Sequence, residues 1–302
     1  MQTKALVIID IQNDITKNYK DVIDNINKAI DWAAGNNIHV VYIRHENLSD
    51  GTRTFKPNTR GAELAPDLKI VSTNIFTKYK GNALTSAEFA DFIDKNKIRD
   101  FYITGADAVA CVKSTCYNLR KANYGVAVLS DCVTSYDKRK IDEMLNYYKS
   151  KGCEVMDLNE KLKKASEIIQ SRTASGEYKN QHCVLAQEDL DGRVTAAVIT
   201  PSRANGIGQL TFCSGVESNW AKRARRDSRA AVCFSSEEYS ITLRGKLEVL
   251  TDTASKRENW YTGMENHFPN ADDPNYCVLR FTTEKYKLFV DWQEVEGSFG
   301  NL

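Results

Sequence analysis

Residues 101–135, FYITGADAVACVKSTCYNLRKANYGVAVLSDCVTS, run as an apolar strand, a Gly-led turn, a Cys at a helix start, a helix and a second apolar strand. Ala110, Val112, Thr115, Leu119 and Ala122 recur at roughly helical spacing, and the helix stops near Asn123 and Gly125. Cys111 therefore falls where a buried parallel strand passes into a helix N-terminus. There, unpaired N–H groups and the positive end of the helix dipole favour a thiolate over a thiol. Open α/β sheets bind ligands at the carboxyl ends of their strands, so the position suits a functional site. The plainer reading is a small buried hydrophobe, the usual state of a cysteine in such a chain. Cys116, farther along the same helix, reads as core.

Working outward, residues 5–9 form a continuous aliphatic run of the kind found in a parallel strand covered on both faces. The run closes on Asp10, and a helix follows to about Ala34 with Val22, Ile26, Ala29, Ile30 and Ala33 on one face. Residues 38–43 are the next buried strand, ending at Arg44 and His45. Residues 47–68 lack a clear period and contain Gly51, Pro57, Gly61 and Pro66, which reads as an active-site loop. Residues 70–76 approach Lys78 in extended form, residues 86–95 and 138–151 are helical, and residues 153–156 are a last short strand. Strands alternating with helices at this spacing predict a doubly wound parallel α/β sheet.

After about Leu158 the pattern changes. Residues 160–171 form one polar-faced helix, and residues 172–180 (RTASGEYKN) are small and polar. From His182 the period becomes two, in CVLAQ, VTAAVIT, QLTFCSG, AAVCFSS, SITLRGKLEVL, CVLRFTT and KLFVDWQ, with turn signals at Asp191-Gly192, Asn205-Gly206 and Asp272-Asp273-Pro274. Residues 218–227 and 253–263 look helical. This predicts a mainly antiparallel sheet or small barrel. The 302 residues exceed one typical core, and the expected division is 1–160, a helix and linker over 161–180, and 181–302.

Forty-one Lys and Arg against 40 Asp and Glu leave a formal charge of +1, which argues against nucleic acid or an anionic membrane as partner. The apolar run near the N-terminus is too short for a signal segment or a membrane span. Eight cysteines spread over both halves, without CxxC pairs or Cys/His ligand spacing, read as reduced thiols of a cytoplasmic protein.

A cysteine nucleophile needs a proton acceptor and a cation for its thiolate. Asp10 ends one strand, Cys111 follows another, and Lys78 ends the extended segment between them, so all three can reach one sheet edge. Each has a plain alternative, since Asp at a strand end is often a turn residue and a lone Lys is usually a solvated charge.

ALVIIDIQND, YIRHE, FKPNTRGAEL, KYKGNAL and ITGADAVACVKST, in that order across residues 4–158, together resemble the isochorismatase-like cysteine hydrolases, which include nicotinamidases and N-carbamoyl amide hydrolases. The resemblance implies a triad of Asp10, Lys78 and Cys111, with Lys80 as the second-choice lysine. It also implies a cis peptide between Ala106 and Asp107, and N–H groups of Ala110 and Cys111 facing an oxyanion. Members that cleave a vinyl ether typically lack the cysteine, so its presence favours hydrolysis of a small amide C–N bond through a thioester. Metal-binding nicotinamidases carry an Asp and paired His residues in the loop after the second strand. This loop has His45 and then only Asp50 and arginines, so no metal is expected. Arg44, His45 and Arg53 are left as candidate substrate contacts.

Residues 181–292 resemble the pyridoxamine 5′-phosphate oxidase-like split-barrel flavoproteins, through LTFCSGVESNWAKRARRDSRAAVCF, SITLRGKLEVLTD, ENW and HFPNADDPNYCVLRFT. This resemblance implies a split barrel, FMN at a homodimer interface, and a phosphate met by hydroxyls and basic residues. The candidates are Thr200, Ser202, Ser214, Ser218, Lys222 and Arg223. Trp220 stands near where that family often has a Lys, and KRARR alone reads more readily as a solvated helix face.

The whole chain thus reads as a cysteine amidohydrolase fused to an FMN-binding oxidoreductase module, forming a homodimer or higher oligomer. Two other readings stand beside it. In one, a flavin enzyme carries a non-catalytic first domain. In the other, a hydrolase carries a flavin-free dimerisation barrel.

Overall fold

The structure, a computed structural model, describes residues 3–174 and 182–299. Residues 175–180 of the expected linker, and Gln181 after it, lie outside the described residues. The chain divides into two compact units, Met1–Asn159 and Glu160–Leu302.

The first unit runs β1 (Thr3–Ile9), α1 (Asn13–Tyr19), α2 (Ile23–Gly35), β2 (His39–His45), β3 (Ile75–Lys78), α3 (Ala87–Asn96), β4 (Ile98–Gly105), α4 (Cys111–Lys121), β5 (Gly125–Val133), α5 (Ile141–Ser150) and β6 (Glu154–Met156). Its six strands lie in the order β3-β2-β1-β4-β5-β6, all parallel. This is the doubly wound sheet that the aliphatic runs predict. Leu6, Val7, Ile8 and Ile9 are fully buried because helices cover both faces. Ala5, Val7 and Ile9 pack with Phe89, Ile93, Val112, Leu119 and Tyr148 from α3, α4 and α5, and α2 covers the other face with Ile26, Ile30 and Ala33.

The long helix expected after Asp10 is two helices joined by a 3-10 turn at Lys20–Val22. Tyr19 leaves helical geometry at the joint (φ −128°, ψ 11°), and its hydroxyl donates to Asp107 Oδ2 at 3.0 Å. A long-range contact overrides local propensity there.

α6 (Leu158–Ser171) carries the chain into the second unit. That unit contains β7 (Cys183–Glu188), β8 (Val194–Ile199), β9 (Pro201–Asn205), β10 (Gln209–Gly215), α7 (Asn219–Arg226), β11 (Arg229–Ser235), β12 (Tyr239–Leu250), α8 (Thr253–Glu258), β13 (Tyr276–Val290) and β14 (Gln293–Ser298). Strands β8-β7-β11-β12-β13-β10-β9 follow one another in an antiparallel sheet, with β14 on β13. This curled half-barrel agrees with the expected split barrel. The runs CVLRFTT and KLFVDWQ belong largely to one strand, β13, which absorbs one extra residue, Glu284, as a bulge opposite Arg244 and Gly245 of β12 and continues beyond it. A Cβ at Gly245 would meet the Thr282 carbonyl oxygen at 1.9 Å, so the close approach at the bulge excludes any side chain.

Candidate active site

Four neighbouring strands bring four segments to one edge of the parallel sheet. Lys78 ends β3, His45 ends β2, Asp10 follows β1, and the turn leading to Cys111 follows β4. His45 and Lys78 are partners in register, so both side chains stand on the same face. Asp10 takes a left-handed conformation (φ 54°), and its N–H donates to the Ile43 carbonyl at 2.9 Å. Gly105 has φ 107°, and a Cβ there would lie 2.1 Å from the Ile9 carbonyl oxygen. Only glycine lets the ends of β1 and β4 close together and bring the turn against Asp10.

Lys78 Nζ is the centre of the cluster. It lies 2.8 Å from Asp10 Oδ2, 3.2 Å from His45 Nδ1 and 3.4 Å from Cys111 Sγ. Lys78 is 0 % exposed and Asp10 2 %, so this ion pair lacks solvent screening. Asp10 Oδ1 has no hydrogen-bond partner. Burial raises the Asp10 pKa against the opposing pull of Lys78, which makes the carboxylate a stronger base than an exposed one. Burial, then the Asp10 charge, pushes the Cys111 thiol up to about 12, with Lys78 acting the other way. The thiolate expected at the helix start is therefore not the resting form. In a dry site, loss of hydration outweighs both the cation and the helix terminus. Burial and the Lys78 charge bring His45 down to about 4, so its ring is neutral at pH 7.

The turn before Cys111 is held by its own hydrogen bonds. The peptide between Ala106 and Asp107 is cis. The Asp107 carboxylate accepts from the Tyr19 hydroxyl, the Val109 N–H and the Tyr136 N–H. Ala106 N–H donates to Ile9, Ala108 N–H to Thr134, and Ala110 N–H to the Asp107 carbonyl. Ala110 therefore has no free donor for an oxyanion, contrary to the sequence reading, because its amide closes the turn. Among the described residues, the turn amides without an acceptor are those of Asp107 and Cys111.

Other expected residues fall elsewhere. Arg44 alternates with His45 along β2 and donates to Thr77 Oγ1 at 3.0 Å, on the opposite face of the sheet. Arg53 is exposed in the loop. His45 faces Lys78 and sets its ring edge-on to Phe55, with centroids 5.6 Å apart. Gln12, fully buried, was not singled out from the sequence. Its side chain accepts from His45 N–H at 2.8 Å and donates to the His45 and Ala62 carbonyls at 2.9 and 2.7 Å. Its position two residues after Asp10 was the available signal. Nothing in the sequence marks the contact of Tyr19 with Asp107. Among the described residues, no group of three or more His, Cys, Asp or Glu is placed to hold a metal ion, and no helix is long and apolar enough to cross a membrane.

In the second unit the expected flavin contacts are engaged with one another. Ser202 is buried and bonds to Thr211 and Asn259. Ser214 and Ser218 pair at 2.8 Å, and Ser218 also caps α7 through Ala221 N–H. Arg223 donates to Asp189 at 3.0 Å and lies over the Trp220 ring at 5.3 Å. Lys222 pairs with Glu217 at 3.4 Å. Of the expected contacts, Thr200, Ser202, Ser214, Ser218, Trp220, Lys222 and Arg223 are absent from the lining of the cavities of about 970, 470 and 290 Å³ in this unit, although Thr211 and Asn259, the partners of Ser202, line the smallest. As a phosphate cradle the set does not fit. Lys222 and Arg223 already face carboxylates, the hydroxyls of Ser202, Ser214 and Ser218 have partners, and Trp220 offers no charge.

Comparison with known proteins agrees with this two-part architecture. The family profile described as "Isochorismatase domain" matches residues 4–160, and "Pyridoxamine 5'-phosphate oxidase like" matches residues 174–297. An uncharacterized isochorismatase family protein of Bacillus subtilis, YddQ, is 25% identical over 142 residues, covering 44% of this chain and 79% of the relative. An isochorismatase-like hydrolase from Alkaliphilus metalliredigens is 20% identical with a TM-score of 0.49, covering 54% of this chain and 98% of that one. A protein from Clostridium acetobutylicum related to general stress protein 26, of the pyridoxinephosphate oxidase family, is 18% identical with a TM-score of 0.36. It covers 47% of this chain and 91% of its own.

Proposed function

The chain belongs to the isochorismatase domain family through residues 4–160, more than half of its 302 residues, and from that premise we propose that its first unit hydrolyses the C–N bond of a small amide with Cys111 as nucleophile. An isochorismatase-like hydrolase domain is followed by a pyridoxamine 5′-phosphate oxidase-like domain. The observation that carries the proposal is the contact of one buried ammonium, Lys78, with both Asp10 and Cys111 at the sheet edge. This supplies base, cation and thiol together.

Cys111 is a neutral thiol at rest, so attack and deprotonation are coupled. Sγ bonds to the amide carbonyl carbon as its proton passes to Asp10. The unengaged Asp107 and Cys111 amides are the donors available to the oxyanion. Asp10 then gives that proton to the nitrogen, the C–N bond breaks, and an amine leaves with an acyl-thioester behind. Water attacks the thioester while Asp10 takes its proton. The C–S bond breaks, a carboxylic acid departs and the proton returns to Cys111. The net reaction consumes one water and one amide and yields one acid and one amine. Lys78 compensates negative charge as it moves between Asp10 and sulfur.

The test is release of ammonia or amine from a panel of primary carboxamides and N-carbamoyl compounds. Cys111→Ala and Asp10→Asn should each lower turnover by at least about 10³-fold on any accepted amide, and wild-type protein should show an acyl adduct on Cys111 by mass spectrometry. Equal hydrolysis by Cys111→Ala would remove the assignment.

The second unit enters this reading as a barrel without flavin chemistry. Ser214 and Ser218 are paired with each other, and Arg223 and Lys222 with carboxylates of the chain, so no redox step is assigned to it.

A further inference from the structure

An ammonium has three N–H donors and no acceptor. At Lys78 the three acceptors within reach are Asp10 Oδ2, His45 Nδ1 and Cys111 Sγ, so no donor remains for a substrate. We propose that His45 is a positioning residue: as the neutral Nε2–H tautomer it takes one Lys78 donor, and thereby holds the other two on Asp10 and Cys111. The inference deepens the proposed hydrolase function and rests on it for its catalytic meaning.

The surroundings of the ring fit this role. Nδ1 faces a group that only donates, so Nδ1 must accept. The main chain of His45 is clamped from both sides by the fully buried Gln12, which accepts from its N–H and donates to its carbonyl. Phe55 packs edge-on against the ring. Lys78 is the charged group facing the imidazole, with Asp10 and the Cys111 thiol beyond it. An imidazole held this way does not contact the reacting carbon. It acts through Lys78, and its loss would leave a buried N–H without an acceptor, free to turn toward Asp10 alone or toward substrate.

Full-length protein tests this without a known substrate. The rate of Cys111 alkylation by iodoacetamide at pH 8.5 reads the thiolate fraction directly. His45→Leu should slow it about tenfold, the effect of one unit in the thiol pKa. His45→Asn, which keeps an acceptor, should recover most of the rate. Long-range proton–nitrogen NMR of the wild-type ring should show the Nε2–H tautomer at pH 7, and Lys78→Met should raise the pH at which that ring titrates. Folded His45→Leu alkylated at the wild-type rate overturns the proposal. If His45→Leu does not fold, the wild-type ring decides, and an Nδ1–H or protonated imidazole at pH 7 overturns it equally. A slowed His45→Leu in protein that hydrolyses no amide would remove the hydrolase reading and leave the Lys78–His45 relation standing.

Discussion

Cys111 shows how a local rule is outvoted by its surroundings. A helix start and a nearby lysine both favour a thiolate, and each is present. The thiol nevertheless sits high, at about 12, because the site is dry and a carboxylate lies beside it. This arrangement lets Asp10, itself raised by burial, receive the thiol proton only when a carbonyl is there to be attacked. It also predicts how the free protein behaves. A group whose pKa is raised to about 12 is protonated throughout the neutral range, so its thiolate fraction grows tenfold with each pH unit. Iodoacetamide alkylation of Cys111, followed by peptide mass spectrometry, should therefore rise about tenfold per unit from pH 7 to 9 without levelling. A plateau beginning near pH 7 would mean that Lys78 and the helix terminus win after all.

Four strand ends, more than any one residue, make the site. Asp10, His45 and Lys78 are brought together because β1, β2 and β3 are neighbours ending at the same edge, and the turn to Cys111 closes on them because β4 lies next to β1. Gly105 is the hinge of that closure. Ala at this position would place a Cβ 2.1 Å from the Ile9 carbonyl oxygen in a backbone with φ 107°. The strained conformation alone costs about 1–3 kcal/mol, before any cost of moving β1. Gly105→Ala should lower unfolding free energy by about 3 kcal/mol in urea titrations and slow Cys111 alkylation as the turn moves from Asp10. An unchanged midpoint would show that the two strand ends have slack. The aliphatic runs and the position of Cys111 were legible because periodicity and strand ends are local signals. The engagement of the Ala110 amide in its turn, the Tyr19 contact with Asp107 and the Gln12 clamp on His45 were not. Each depends on where a distant segment packs, and neither spacing nor composition carries that. Arg44 misled for a related reason, since one step along a strand reverses the face a side chain occupies.

At the scale of the molecule, two units differ in what their polar residues do. In the first, a buried ammonium, a carboxylate with one free oxygen and a thiol face one another, an arrangement that pure packing would not retain. In the second, Ser202, Ser214, Ser218, Lys222 and Arg223 on the expected flavin side each have a partner within the chain, among them the serine pair at 2.8 Å and the Arg223–Asp189 bond at 3.0 Å. A phosphate dianion there would have to break those contacts, meet Asp189 and Glu217 at close quarters, and find Trp220 where a lysine would serve it better. The protein should consequently purify without visible flavin absorbance and take up no FMN in a fluorescence-quenching titration at micromolar concentrations. Substituting Trp220→Lys together with Asp189→Asn should create measurable FMN binding by adding a cation and releasing Arg223 from its carboxylate. Yellow wild-type protein, or saturable FMN binding that Arg223→Ala abolishes, would return the second unit to flavin chemistry. It would also mean that Arg223 exchanges Asp189 for phosphate when the cofactor arrives.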